Sequence, residues 1–269
     1  MNMKLRNIPF SPPDMTEAEA NEVREAILSG WITTGPRTKE FERLIAICCQ
    51  TKKAVALNSA TAAMELTLRV LGVGEGDEVI VPAYTYTATA SVVHHVGAKI
   101  VMVDVAPGSF EIDYDSIADA ITERTKVVMP VDLGGVMCDY DRVFAAVESK
   151  RELFRPANDI QKAFGRVVVL ADAAHAFGAR RHDRMCGEVA DFTSFSFHAV
   201  KNLTGFGYRD RRHATVGNIL LQPSSRVPHV LRDAREQGAA RGRLLEEAAA
   251  YDRRRGTVGP RQRKVQDIP

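Results

Sequence analysis

The sequence predicts an α/β domain built on a mainly parallel central sheet, and three observations predict it. Short β-branched runs alternate with stretches whose apolar residues recur at helical spacing. One run, Arg166-Val167-Val168-Val169-Leu170, is almost pure valine, which suits a strand buried on both faces of a parallel sheet. Polar residues able to bind ligands cluster just past the predicted strands, where open α/β sheets carry their sites.

In chain order, Thr16 and Glu19 form a capping-box pattern, and Ala20, Val23 and Ile27 follow at helical spacing until Ser29-Gly30 ends the helix. Trp31 to Pro36 is a loop holding the single tryptophan. Lys53 to Leu57 reads as a strand that passes through Asn58-Ser59-Ala60-Thr61 into a helix with Met64, Leu68 and Leu71 on its apolar side. Glu78 to Pro82 is a strand, Thr87 to Val96 a helix, and Lys99 to Val103 a strand ending at Asp104. Asp113 to Thr122 is helical, Lys126 to Val131 a strand, and Tyr140 to Ser149 a helix. A mixed connection through Pro156 and Gln161 either shapes a pocket or extends a helix. It leads into the valine strand.

Composition sets limits. The chain has 269 residues, 45% hydrophobic and 26% charged, as in an ordinary globular protein. A net charge of +2 is too small to imply nucleic acid as partner of the whole chain. The first twenty residues lack the apolar core of a signal peptide, and no apolar run is long enough to span a bilayer. Cys48, Cys49, Cys138 and Cys186 form no CxxC pair, so neither a metal site nor a redox motif is expected. Buried thiols in a reducing cytoplasm fit best.

Four features carry chemistry. Ser59-Ala60-Thr61-Ala62 is a small-residue turn into a helix: its free N–H groups and the helix dipole suit a phosphate, although Ser and Thr there also serve as plain caps. Asp172 follows the valine strand, where a carboxylate is costly unless paired. It either caps the next turn or holds the protonated nitrogen of a heteroaromatic ring. Lys201, in Ser194-Phe195-Ser196-Phe197-His198-Ala199-Val200-Lys201-Asn202, has apolar neighbours that favour its neutral, nucleophilic form, against the alternative of an ordinary surface lysine. Ser196 reaches a phosphate or finishes a strand. In Tyr84-Thr85-Tyr86 an aromatic stacks on a ligand ring or packs in the core.

Taken together, these blocks resemble the DegT/DnrJ/EryC1/StrS family of pyridoxal 5'-phosphate (PLP)-dependent sugar aminotransferases. The likeness covers most of residues 5–204. It rests on Ser29-Gly30-Trp31-Ile32-Thr33-Thr34-Gly35-Pro36, Asn58-Ser59-Ala60-Thr61-Ala62-Ala63, Asp77-Glu78-Val79-Ile80-Val81-Pro82, Asp172-Ala173-Ala174-His175-Ala176-Phe177-Gly178-Ala179 and the lysine block. The resemblance implies the fold type I, aspartate aminotransferase-like large domain. It implies Lys201 as the catalytic residue, joined to PLP as a Schiff base, and Asp172 against the pyridine nitrogen. It further implies Ala60, Thr61 and Ser196 at the phosphate, Tyr86 on a ring face and His175 near the cofactor. The implied partners are an amino donor, glutamate, and a nucleotide-linked keto-sugar, in a cytoplasmic homodimer without nucleic acid, membrane or metal. Some relatives carry histidine in place of the lysine and dehydrate sugars; Lys201 points to transamination.

Past Thr204 the pattern breaks. Residues 202–269 hold 14 Lys plus Arg, 13 of them Arg, against 7 Asp plus Glu, so this segment is +7 and residues 1–201 are −5. The family's glycine-rich turn, later strands and small C-terminal domain have no counterpart. Residues 1–204 are therefore expected to form an incomplete PLP-binding large domain, and residues 205–269 a basic tail, out of frame or disordered. Weak stability and little turnover follow, leaving a catalytically incompetent fragment or a non-catalytic partner subunit as the alternative function. Arg253-Arg254-Arg255 and Arg261-Gln262-Arg263-Lys264 read as solvated charge rather than a nucleic-acid site. Another reading frame of the coding DNA after Thr204 is expected to encode the family's continuation; its absence from every frame would refute the frameshift.

Overall fold

The computed structural model describes residues 15–31, 34–198, 200–201 and, as backbone, 218–222, all within the compact unit Met1–Pro228. The chain opens with α1 (Glu17–Leu28), where both halves of the Thr16/Glu19 capping box form and Gly30 turns out at φ 71°. None of the residues of α1 is fully buried: Val23 is half-buried and Ile27 exposed. Next, α2 (Pro36–Cys48) starts on a proline at its first position, a helix that the sequence reading had left unassigned. It carries Cys48 exposed and Cys49 buried, so only one of that adjacent pair is a core thiol.

The alternation then runs as predicted: β1 (Lys53–Leu57), α3 (Ala60–Val70), β2 (Glu78–Pro82), α4 (Thr87–His95), β3 (Lys99–Val103), α5 (Tyr114–Ala120), β4 (Thr125–Val128) and α6 (Tyr140–Ser149). The mixed connection contains α7 (Asp159–Phe164), capped by Asn158 and ended by Gly165 in the left-handed conformation. Its polar side chains face the C-terminus of α3: Asn158 Nδ2 and Gln161 Nε2 both donate to the Leu71 carbonyl, at 3.0 and 2.9 Å. That is the end of α3 away from the Ser59 turn, so the connection extends the helical layer.

The valine strand is β5 (Val168–Asp172), two residues later than predicted, with Asp172 as its last residue. A short hairpin, β6 (Arg180–Arg181) and β7 (Arg184–Met185), precedes β8 (Phe192–Ser196). Arg166 anchors this region. Its guanidinium makes two bonds to the fully buried Asp191, at 2.7 and 2.8 Å, and Asp191 also accepts the Val169 N–H at 2.9 Å.

In the tail, Asn218–Gln222 forms β9. The sheet order is β1-β9-β8-β5-β4-β2-β3, with β9 antiparallel to both neighbours and the rest of the β8-to-β3 run parallel. Residues 205–269 are expected from the sequence to be a basic tail, out of frame or disordered; within them Ile219-Leu220-Leu221 lies in β9, an interior strand position. The physical reason is that β1 and β8 each leave an edge of unpaired N–H and C=O groups, and one apolar strand satisfies both. The basic runs at 253–264 lie outside the described residues.

Leu220 pairs with Val55 on one side and Ser194 on the other. Leu220→Pro removes an interior ladder N–H and leaves its acceptor unpaired, at a cost of about 1–3 kcal/mol. A lowered urea midpoint is the expected result. An unchanged midpoint would show that β9 contributes nothing to the sheet.

Candidate active site

The carboxyl ends of β2, β4, β5 and β8 meet on one side of the sheet, and the β-strand period sorts the side chains there. Along β8, Ser194 and Ser196 share a face while Phe195 and Phe197 take the other, against Phe177 and Phe41. Ser194 Oγ donates to the Ala60 carbonyl at 3.2 Å, which ties β8 to the first residue of α3. Ser59 caps that helix by accepting the Ala62 N–H at 3.0 Å. The Ala60 and Thr61 N–H groups are left without a partner among the described residues, at the positive end of the dipole and beside the face that carries Ser196. Ser196 is the last residue of β8, and its Oγ accepts the His198 N–H at 3.4 Å.

Asp172 pairs with Ser194 across the β5–β8 ladder and is 5% exposed. Its Oδ2 accepts the Thr89 hydroxyl at 2.7 Å and its Oδ1 the Ala174 N–H at 3.3 Å. Thr89 stands one turn into α4, bonded in turn to Thr85 at 2.8 Å. Burial pushes the Asp172 carboxyl above its usual range; the Thr89 and Ala174 donors and the charges of His175 and Lys201 pull the other way. Burial lowers the Lys201 amine, opposed by Asp172. His175 is lowered by burial and by Lys201, against Asp172. Lysine, carboxylate and imidazole are therefore one electrostatic group.

His175 Nδ1 accepts the Gly134 N–H at 3.3 Å, which leaves Nε2 to carry the proton of the neutral ring. Gly134 reaches that position at φ 61°, in the left-handed region that suits glycine. Tyr86 sits at the start of α4, 77% exposed and making no capping bond with its side chain, so its ring is free at the rim. Tyr84 instead lies against Phe110, ring centroids 5.3 Å apart. Ala199 and Asn202, beside Lys201, lie outside the described residues, as do Ile32 and Thr33 of the tryptophan loop.

Two residues of the site escape a reading of the sequence. Thr89 is a first-turn threonine of α4, with only its i, i+4 relation to Thr85 as a clue. Gly134 acts through its backbone, which no side-chain pattern signals.

The donor set suits PLP. A buried carboxylate with two hydrogen-bond donors can bind a ring N–H, an amine whose pKa burial lowers can hold a carbonyl carbon, and free N–H groups can take a phosphate.

Comparison with known proteins gives consistent results. The profile of the DegT/DnrJ/EryC1/StrS aminotransferase family matches residues 13–207. The spore coat polysaccharide biosynthesis protein SpsC of Bacillus subtilis is 40% identical over 201 residues, which are 74% of this chain and 48% of that protein. A Streptococcus pneumoniae protein described as a sugar aminotransferase, solved in its PLP form, is 54% identical with a TM-score of 0.79, covering 86% of this chain and 57% of that one. The 3-amino-5-hydroxybenzoic acid synthase structure is 29% identical with a TM-score of 0.70, over 98% of this chain and 58% of that one. The chain spans about half the length of the curated relatives it matches.

Thr89→Val removes the hydroxyl from a carboxylate whose charge-assisted bond is worth about 1.5–3 kcal/mol. Asp172 should then titrate at still higher pH, followed by carboxyl carbon NMR. Because a raised folded pKa gives stability that is lost as pH rises, the variant should also lose stability more steeply above pH 4 than the parent. Superimposable titrations would show that the Thr89 bond does not hold the ionised form.

Proposed function

The chain belongs to the DegT/DnrJ/EryC1/StrS aminotransferase family, and from that premise we propose that it is a PLP-dependent aminotransferase that moves an amino group from glutamate to a keto-sugar, nucleotide-linked, by way of Lys201. The observation that carries the reading is the buried Asp172 joined electrostatically to Lys201 and His175 at the end of the central strand. A polysaccharide-biosynthesis protein and a sugar aminotransferase among the relatives support a sugar as the acceptor. The reading includes a homodimer in the cytoplasm, acting on small molecules. Among the described residues no helix is long and apolar enough to cross a membrane.

When bound, PLP supplies an electron sink conjugated with the substrate carbon. Asp172, its carboxylate held by the Thr89 hydroxyl, would pair with the protonated ring nitrogen. The Ala60 and Thr61 N–H groups, with Ser196, would take the phosphate. The exposed Tyr86 ring would stack on the cofactor. Lys201 Nζ would be the group that holds the cofactor's carbonyl carbon and, as a free amine, the base for the proton on the substrate carbon; burial lowers its pKa, which favours both roles.

A second reading is favoured by the family match ending at residue 207: a subunit or fragment that holds the cofactor without completing the reaction.

A stopped half-reaction separates the two. The PLP-loaded chain mixed with glutamate should release one 2-oxoglutarate per Lys201, and Lys201→Ala should release none. A subsequent keto-sugar should regain the starting spectrum. Release without sugar amination would favour the second reading, and no release from loaded protein would refute the proposed donor chemistry.

A further inference from the structure

Asp132, outside the site as predicted from the sequence, has an environment that its neighbours alone do not require. It is fully buried, and no cation pairs with it among the described residues. Its carboxylate accepts the Cys138 N–H at 2.8 Å, the Tyr140 hydroxyl at 3.1 Å to each oxygen, and the Cys186 thiol at 3.4 Å. Its backbone is joined to the active-site strand: Asp132 N–H donates to the Asp172 carbonyl at 3.0 Å, and Asp172 N–H to the Pro130 carbonyl at 2.9 Å.

Between Asp132 and Cys138 the chain bulges outward through the single turn Leu133–Gly135, with Gly134 and Gly135 at φ 61° and 85°. The Asp132 carboxylate closes the neck of that loop on the Cys138 N–H. The tip of the loop presents the Gly134 N–H to His175 Nδ1, and an added Cβ on Gly135 would stand 3.4 Å from the His175 carbonyl. One buried carboxylate thus sets where a single backbone N–H meets the imidazole beside Lys201 and Asp172.

We propose that Asp132 is a positioning residue: by closing the 132–138 loop it holds the Gly134 N–H on His175 Nδ1, and so fixes His175 as the neutral tautomer protonated at Nε2. The functional meaning of that tautomer rests on the cofactor reading above; the positioning itself does not. Fixing it leaves the His175 ring with a donor at Nε2 and no capacity at Nδ1 to take a proton from Lys201. Lys201 then keeps sole charge of proton movement at the substrate carbon.

The groups facing Asp132 make the device sensitive to pH. They are Cys138 in the loop, Tyr140 at the start of α6 and Cys186 after β7, with Glu111 and Arg181 acting on Cys138 and Cys49 of α2 acting on Cys186. Burial raises the Asp132 carboxyl to about 7, opposed by the Cys138, Cys186 and Tyr140 donors. Protonation turns one acceptor oxygen into a donor, and the Tyr140 hydroxyl, which donates to both oxygens, must then reorient.

The test is side-chain 1H–15N correlation spectroscopy of the full chain without cofactor, with the His175 signals among the seven histidines assigned through His175→Gln. The parent should show His175 as a single tautomer protonated at Nε2. In Asp132→Ala the His175 signals should move to a mixture of tautomers, and their titration midpoint should shift by about half a unit or more, with the other histidines unmoved. Asp132→Asn keeps an acceptor for the Cys138 N–H and should preserve both the tautomer and the midpoint. An unchanged tautomer and midpoint in a folded Asp132→Ala overturns the proposal. A parent whose His175 is not protonated at Nε2 overturns it whether or not that variant folds. Failure of the parent to load PLP would count against the cofactor reading alone, because these spectra are recorded without it.

Discussion

A carboxylate kept dry at the end of the central strand is the constraint on which the described structure turns. Asp172 occupies the last position of β5, at the junction of two parallel neighbours, where an unpaired ionised group would be very costly. What offsets the cost comes from elsewhere in the sequence: a hydroxyl from α4, an N–H from the turn that follows, and positive charge from Lys201. Each of these fixes the approach of another element. Thr89 requires α4 to start close over β5, and this places Tyr86 at the rim. The Asp172–Ser194 pairing sets the register of β8, and Ser194 in turn holds the start of α3. The start of α3, the Asp172 carboxylate and the start of α4 are therefore positioned by one chain of contacts.

The sheet places a second demand on the chain. Crossovers lay β5, β4, β2 and β3 side by side in parallel, but β1 and β8 come out one strand apart. That gap is filled by a strand running the other way, Asn218–Gln222. This interior position has a modest sequence requirement: four or five residues able to pair on both edges. A short apolar piece in an otherwise arginine-rich segment meets it, although the segment as a whole carries +7.

The sequence made most of this legible where local signals and long-range packing agree. The strands Lys53–Leu57, Glu78–Pro82 and Lys99–Val103 and the helix Tyr140–Ser149 stand where their periodicity puts them. The Thr16/Glu19 box forms as read, yet no residue of the helix it starts is fully buried, because capping is local and burial is not. Asp172 is legible because a charged residue at the end of an apolar strand contradicts its surroundings, whereas Lys201 stands out only through the family resemblance of its block. Asp132 follows Met129-Pro130-Val131 by the same rule as Asp172 but lies in none of the blocks that carry the resemblance. Thr89, Gly134 and β9 were hidden for a different reason: each acts through a partner 40 to 170 residues away or through its backbone, and neither leaves a pattern in the chain.

The central claim is that these residues form a cofactor site around Lys201. The direct measurement is to load the chain with PLP, reduce it with borohydride and map the pyridoxyl group by peptide mass, alongside Lys201→Ala and Asp172→Ala. The account predicts one group per chain on the peptide containing Lys201, none there in Lys201→Ala, and a much weakened visible band in Asp172→Ala. Label spread over surface lysines of a cooperatively folded protein, or an unaltered band in Asp172→Ala, would contradict it.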